Sequence, residues 1–378
     1  MRFLVSSLTF FCTLGTTLGL LQGGKRRRVP TQLAALDKGF NLLEIASGVV
    51  PQGAIVQTAR EGWKFAWQRM MAELAPQNRD GSYQRPTYGF SGKIGSAEFA
   101  EEGNGRYHLY VGNPCPWCHR VVLARTLRGM EADIGMTRLE DNPVKASRGG
   151  WIFASNRPDP LGSYDLRELY DKLSPRYKGR CTAPLLVDLK ARKIVSNESA
   201  DIVRMLCQVE FGDSTRMDII PSGLEREIEE TNEWVYRLLN NGVYRCGFST
   251  SQAAYDRASA DVREGLRRVE ETLQKQDYLC GDRFTEADLR LLPTLLRFDG
   301  AYAPLFRAGG VHLRVRDFPA THRWLRRCWA IPGVSSSIDL ADACSSYYKQ
   351  LFPLNPGGLI PSPVSAETLG LLSQVVES

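Results

Sequence analysis

The sequence predicts an α/β half followed by an all-helical half, with a thiol site at the first strand–helix junction. Three observations carry this. The apolar run Tyr107-His108-Leu109-Tyr110-Val111 leads into Asn113-Pro114-Cys115-Pro116-Trp117-Cys118-His119-Arg120 and then Val121 to Leu127, which reads as strand, tight turn and helix. Strand and helix patterns alternate from Tyr107 to about Leu206. Beyond about residue 215 the apolar spacing is helical: Leu224, Ile228, Thr231, Val235 and Leu238 form one stripe, and Ala258, Val262, Leu266, Val269 and Leu273 another.

The chain has 378 residues, 43% apolar and 24% charged, the balance of a soluble globular protein with room for two domains. Its net charge of +6 is concentrated at one end. Residues 1–36 contain Arg2, Lys25, Arg26, Arg27 and Arg28 and no acidic residue, so the remainder is almost neutral. That removes the electrostatic case for binding nucleic acid. Residues 3–21 are apolar but broken by serine, threonine and glycine, like a signal h-region rather than a membrane span. The basic stretch after them resembles a transit peptide. Residues 1–36 are therefore expected to be a targeting leader for a plastid. The secretory pathway, the mitochondrion and a single membrane anchor are the alternatives. No other run reaches the ~18 consecutive apolar residues of a span, so the mature body is not expected to cross a membrane.

Residues 37–96 are expected to form an N-terminal extension. In it a helix from Glu61 to Ala75 places Trp63, Trp67, Met70, Met71 and Leu74 on one face, and a loop covers Pro76 to Gly95. The α/β domain follows over 97–215. It has a strand at 107–111, a helix at 115–128, the patch Gly149-Gly150-Trp151-Ile152-Phe153 and a helix from Leu166 to Leu173. A buried strand, Cys181 to Asp188, is interrupted near its start by Pro184, and Lys193 to Leu206 gives a strand and a capped helix. This βα-then-ββα order is thioredoxin-like. The helical domain spans 216–362. It contains a capping box at Thr285 to Asp288 and a helix from Ala320 to Ala330 that stops before Pro332-Gly333. Residues 363–378 are a tail with a short helix near 366–376.

Nine cysteines, of which only Cys115 and Cys118 are closely paired, do not make a disulfide scaffold, and free thiols in a reducing compartment are expected. No second Cys/His pair has zinc spacing, so no metal is expected. Cys115 opens a helix, where unpaired backbone N–H groups and the helix dipole favour negative charge and lower a thiol pKa. Cys118 lies three residues on, on the same helix face. It either closes a disulfide with Cys115 as a resolving thiol or is a small buried residue. Proline cannot donate to a sheet ladder, so Pro184 belongs at a strand start. In a thioredoxin-like domain that position carries a cis-proline facing the active-site cysteine, and Ala183 then offers its backbone to an extended peptide. Ser196-Asn197-Glu198-Ser199 opens a helix; it serves either as a plain cap or as an anion site.

Several long motifs occur in one order: Asn113 to Arg120; Gly150 to Phe153; Tyr177 to Leu186; Ile194 to Met205; Asn240 to Phe248; Tyr278 to Leu291; Arg297-Phe298-Asp299; and Asn355 to Pro361. Over roughly residues 60–362 the chain resembles the Xi-class glutathione transferases, or glutathionyl-hydroquinone reductases, in their plastid and cyanobacterial branch. The resemblance implies the glutathione transferase fold and a homodimer. It implies Cys115 as catalytic cysteine, and Trp151, Arg167, Ala183 with Pro184, Glu198 and Ser199 as the glutathione-binding set. Tyr244 and Tyr302 are implied to line a quinone pocket, with Tyr347 or Tyr348 as a third tyrosine. The chain departs from many relatives in having Cys118 where they have alanine. The segment Ala303 to Gly310 also departs, and Ala341 to Ser346 stands where they carry a basic, histidine-containing stretch.

The implied activity is reduction of S-glutathionyl-hydroquinones, with glutathione as co-substrate. Glu198 would pair the γ-glutamyl amine, while Ser199 and the helix start take its carboxylate. Tyr244 and Tyr302 would hydrogen-bond the phenolic oxygens. His119 and Arg120 are read as structural. Two other readings stay open: a glutaredoxin-like thiol transferase, and a non-catalytic protein that binds quinones or porphyrins.

Overall fold

The computed structural model describes residues 51–142, 144–147, 150–154, 156, 159–211 and 217–372. The leader expected over 1–36, the junction expected near 215 and the last residues of the tail lie outside the described residues. The chain divides into two compact units, Met1–Lys64 and Phe65–Ser378. The described part of the first is the opening of a helix, α1 (Gln52–Leu74), which starts nine residues earlier than the sequence pattern suggests. Its expected apolar face is only partly used, because Trp63 is exposed while Met71 is fully buried.

The second unit holds both predicted halves. Strands β1 (Tyr107–Gly112), β2 (Ile134–Asp141), β3 (Trp151–Phe153), β4 (Leu185–Asp188) and β5 (Lys193–Ser196) form one sheet in the order β3-β2-β1-β4-β5. β1 and β2 are parallel, and the other pairings are antiparallel. The parallel pair needs a crossover. This is α2 (Pro116–Leu127), which opens directly after β1. Alternation along β1 supplies two cores. Tyr107, Leu109 and Val111 pack with α2 and α4 (Ser199–Gln208), while Tyr110 packs with α3 (Leu166–Leu173).

β2 has no counterpart in the sequence reading. Its buried positions are Ile134, Thr137 and Leu139, and the threonine is satisfied by His108 Nε2 at 2.8 Å rather than by apolar packing. β4 is shorter than expected, since Cys181 to Pro184 precede it as an irregular lead-in; the Ala183–Pro184 bond is cis.

The helical half comprises α5 (Glu225–Val235), α6 (Gly242–Phe248), α7 (Gln252–Leu273), α8 (Glu286–Arg297), α9 (Pro319–Trp329) and α10 (Leu340–Gln350). All five residues of the second predicted stripe are buried on α7. Thr285 and Asp288 form the expected capping box, with Thr285 N donating to Asp288 Oδ2 at 2.9 Å. Asp288 Oδ1 also accepts from Trp324 Nε1 at 2.8 Å, which ties α8 to α9. α5 and α8 each run into a π-helical turn, Tyr236–Asn240 and Phe298–Tyr302. The helix expected near 366–376 is absent as far as residue 372; residues 366–370 form turns. Among the described residues no helix is long and apolar enough to cross a membrane.

Candidate active site

Cys115 is the N-cap of α2, with φ −76° and ψ 117°, and Pro116 follows at the first helical position. Proline suits that place because its missing N–H would have been unpaired anyway. The thiol is half-buried, 3.8 Å from the carbonyl oxygen of Ala183. Its pKa is lowered to about 7, chiefly because the Cys118 thiol hydrogen-bonds to it. Burial opposes this, and the backbone N–H of Cys118, the charge of Arg297 and the backbone N–H of Trp117 assist. Cys118 itself is fully buried, and burial pushes its own thiol well up. The two sulfurs thus have different work: one ionises near neutrality, and the other keeps its proton and donates it.

Arg297, at the end of α8, supports the turn from below. Its Nε donates to Pro114 O at 2.9 Å and its Nη2 to Asn113 O at 2.8 Å. Nη1 meets His119 Nδ1 at 3.1 Å. Burial, and after it the charge of Arg297, holds His119 well below the usual imidazole range, so the ring is neutral. Its Nδ1 accepts from Arg297, which leaves Nε2–H to donate to Ser337 Oγ at 2.7 Å. His119 is therefore a structural link, as the sequence suggested.

A cavity of about 1090 Å³ opens beside the thiol. Cys115, Trp117, Trp151, Arg167, Ala183, Tyr244 and Tyr347 share its wall. The Trp151 ring packs against Gly112, where a Cβ would come within 2.2 Å of it, so the glycine that ends β1 makes room for this wall. Arg167 is held by Asp171 (2.5 Å), by Tyr177 O (3.2 Å) and by Cys181 Sγ (3.4 Å).

Three tyrosine hydroxyls meet at the inner end. Tyr347 lies 2.8 Å from Tyr244 and 2.7 Å from Tyr302, with Tyr244 and Tyr302 at 3.4 Å. Burial raises all three phenols, Tyr302 to about 12, so they stay protonated as donors. Tyr302, expected to line the pocket, is fully buried and is not part of the cavity wall. The π-helical turn at Phe298–Tyr302 carries it behind the other two, a displacement that ordinary helical spacing does not indicate. Tyr347 takes the wall position, whereas Tyr348 donates to Gly300 O at 3.1 Å.

Glu198 and Ser199 sit at the start of α4, outside the cavity wall, as does Pro184. Glu198 Oε1 accepts from Ala200 N at 3.0 Å and from the buried Ser199 hydroxyl at 3.2 Å, so Glu198 caps this helix. Glu198 also faces Arg85, Nη2 to Oε2 at 3.6 Å. Arg85 escaped the sequence reading. Its guanidinium lies 3.6 Å from the centre of the Trp117 ring and donates to Tyr88 Oη at 2.7 Å, so it bridges the turn that carries Cys115 to the start of α4. It belongs to an irregular loop with no periodic signal. Arg297 stands in the motif Arg297-Phe298-Asp299, whose sequence alone gives it no role.

The fold and the site define a glutathione S-transferase. The family model described as glutathione S-transferase, N-terminal domain matches residues 114–209, and that described as glutathione S-transferase, C-terminal domain matches 252–327. Glutathionyl-hydroquinone reductase YqjG of Escherichia coli is 38% identical over 278 residues, covering 72% of this chain and 83% of that protein. Glutathionyl-hydroquinone reductase PcpF of Sphingobium chlorophenolicum is 35% identical, covering 82% and 97%. The crystal structure of glutathione S-transferase Xi from Phanerochaete chrysosporium has a TM-score of 0.69 at 36% identity, covering 75% of this chain and 93% of that one. The glutathione-bound structure of YqjG has a TM-score of 0.65 at 36% identity, covering 76% and 96%. This chain belongs to the Xi-class glutathione transferases, the family of the glutathionyl-hydroquinone reductases.

Proposed function

We propose that this protein is a glutathione-dependent reductase that removes glutathione from S-glutathionyl-hydroquinones. The observation that carries the reading is a thiol with a pKa of about 7 on the same cavity wall as two protonated tyrosine hydroxyls. The Cys115 thiolate attacks the glutathione sulfur of the substrate. A sulfur–sulfur bond forms as the sulfur–carbon bond breaks, and the ring carbon leaves with the electron pair. That carbon takes up one proton, matched by the proton the second glutathione thiol gives up, and hydrogen bonds from Tyr244 and Tyr347 hold the phenolic oxygens while it is transferred. Tyr302 acts through those two hydroxyls. The thiolate of a second glutathione then attacks the mixed disulfide, giving oxidised glutathione and restoring Cys115. The hydroquinone is the reduced product.

Trp151, Arg167 and the Ala183 backbone contact the tripeptide in this reading, with Glu198 and Ser199 at its γ-glutamyl end. The resemblance supports a homodimer, and the basic leader supports import into a plastid. Intact-mass spectrometry after exposure to an S-glutathionyl-hydroquinone tests the mechanism: one glutathione adduct on Cys115 is expected, and none on Cys115→Ser. Binding of the substrate with no Cys115-dependent turnover would instead mark a carrier. Faster turnover of small mixed disulfides than of the hydroquinone adduct would mark a thiol transferase.

A further inference from the structure

The wall next to the tyrosine pair carries a carboxyl group that none of this chemistry uses. Asp141 ends β2, opposite Trp151 in the β2–β3 register, and lines the cavity. The Ser346 hydroxyl donates to its Oδ2, and Gln350 Nε2 donates to its backbone oxygen at 3.1 Å. Oδ1 has no hydrogen-bond partner among the described residues. Ser346 precedes Tyr347 on α10, so carboxyl, serine and tyrosine hydroxyl occupy one stretch of wall. Burial raises the Asp141 carboxyl to about 6; the Ser346 hydrogen bond opposes this, Asp342 adds to it and Lys349 opposes, so at neutral pH it is mostly an anion. The basic wall residues Arg167, Arg176, Lys178 and Arg180 come from α3 and the loop after it. Like charges brought together in a partly desolvated cleft repel, which is how a site rejects a wrong partner.

We propose that Asp141 sets the substrate class. It admits uncharged aromatic rings, whose hydroxyl donates to its free oxygen, and rejects rings that carry a carboxylate. The proposal rests on the reductase reading, because the tripeptide carboxylates then lie against the basic segment and the ring lies against α10. The test compares kcat/KM, at about pH 7.5 where Asp141 is ionised, for the S-glutathionyl adducts of hydroquinone and of 2,5-dihydroxybenzoate. In Asp141→Asn the ratio of acidic to uncharged substrate is expected to rise by about tenfold or more. Asp141→Glu, which keeps the carboxylate, should leave the ratio low. An unchanged ratio in a folded Asp141→Asn, or an equal rise in Asp141→Glu, overturns the assignment. Affinities of the same two adducts for Cys115→Ser, read by tryptophan fluorescence with and without Asp141→Asn, give the charge selection without turnover. Should neither adduct be turned over by the native protein, the reductase reading falls while this binding ratio still decides the role of Asp141.

Discussion

Arg297 holds the turn that carries Cys115: its guanidinium donates to the carbonyl oxygens of Asn113 and Pro114, at 2.8 and 2.9 Å. The positive charge that helps ionise the thiol therefore comes from the helical half and is fully buried. Arg297→Met should raise the Cys115 pKa, so alkylation at neutral pH slows because less thiolate is present. Arg297→Lys keeps the charge but not the planar fork, and should retain more of that reactivity while losing about 1–3 kcal/mol of stability. Iodoacetamide rates against pH and urea unfolding separate the two effects. Equal thiol titration in all three proteins would refute the electrostatic part.

Cys115 ionises at about 7, so reactivity should rise as pH increases through that value and level off above it. Removing the Cys118 donor moves this limb to higher pH. Cys118→Ala should be alkylated about tenfold more slowly near neutrality, as expected for loss of a hydrogen bond to a charged group, and recover in alkaline buffer. Cys118→Ser keeps a donor and should keep most activity. Failure of both variants at every pH would point to a dithiol cycle instead.

The tyrosine cluster gives a ranked outcome. Tyr244→Phe and Tyr347→Phe, on the cavity wall, should each lower kcat by about 10²-fold, the usual scale for a positioned proton donor. Tyr302→Phe lacks contact with the cavity and should cost less than either. Steady-state kinetics with one S-glutathionyl-hydroquinone settles the order, and a larger loss for Tyr302 would place it in direct contact with substrate.

Arg85 lies over Trp117 and faces Glu198. Arg85→Ala should raise the KM for glutathione about tenfold through lost cation–π and ion-pair support, with a smaller change in kcat. An unaltered KM would show that the loop serves only folding.

Asp288 accepts hydrogen bonds from Leu279 N, Thr285 N and Trp324 Nε1. Asp288→Ala strands these buried donors and should destabilise the protein by about 3 kcal/mol or more, seen as a lower urea midpoint.

What the sequence made legible follows from local rules. The strand–turn–helix around Cys115, the proline before β4, the capping box and the helical stripe on α7 depend on neighbours a few residues apart, and each appears in the structure. β2 was hidden because one of its buried positions is a threonine satisfied by a histidine on the adjacent strand. Tyr302 was placed on the cavity wall by the resemblance alone; the π-helical turn that buries it carries no mark in the local spacing. Arg85 and Asp141 act over distances of more than 100 residues in sequence, on Glu198 and Ser346, and neither carries a periodic mark.

The loop before β1 is fastened at both ends. Gln77 Nε2 donates to Phe248 O at 3.0 Å, and Ser91 bridges to Ser196 on β5, with Arg85 between them. A truncation that removed this belt, beyond about residue 76, would strip the support from both Trp117 and Glu198, so the N-terminal limit of a working chain lies ahead of the α/β domain itself.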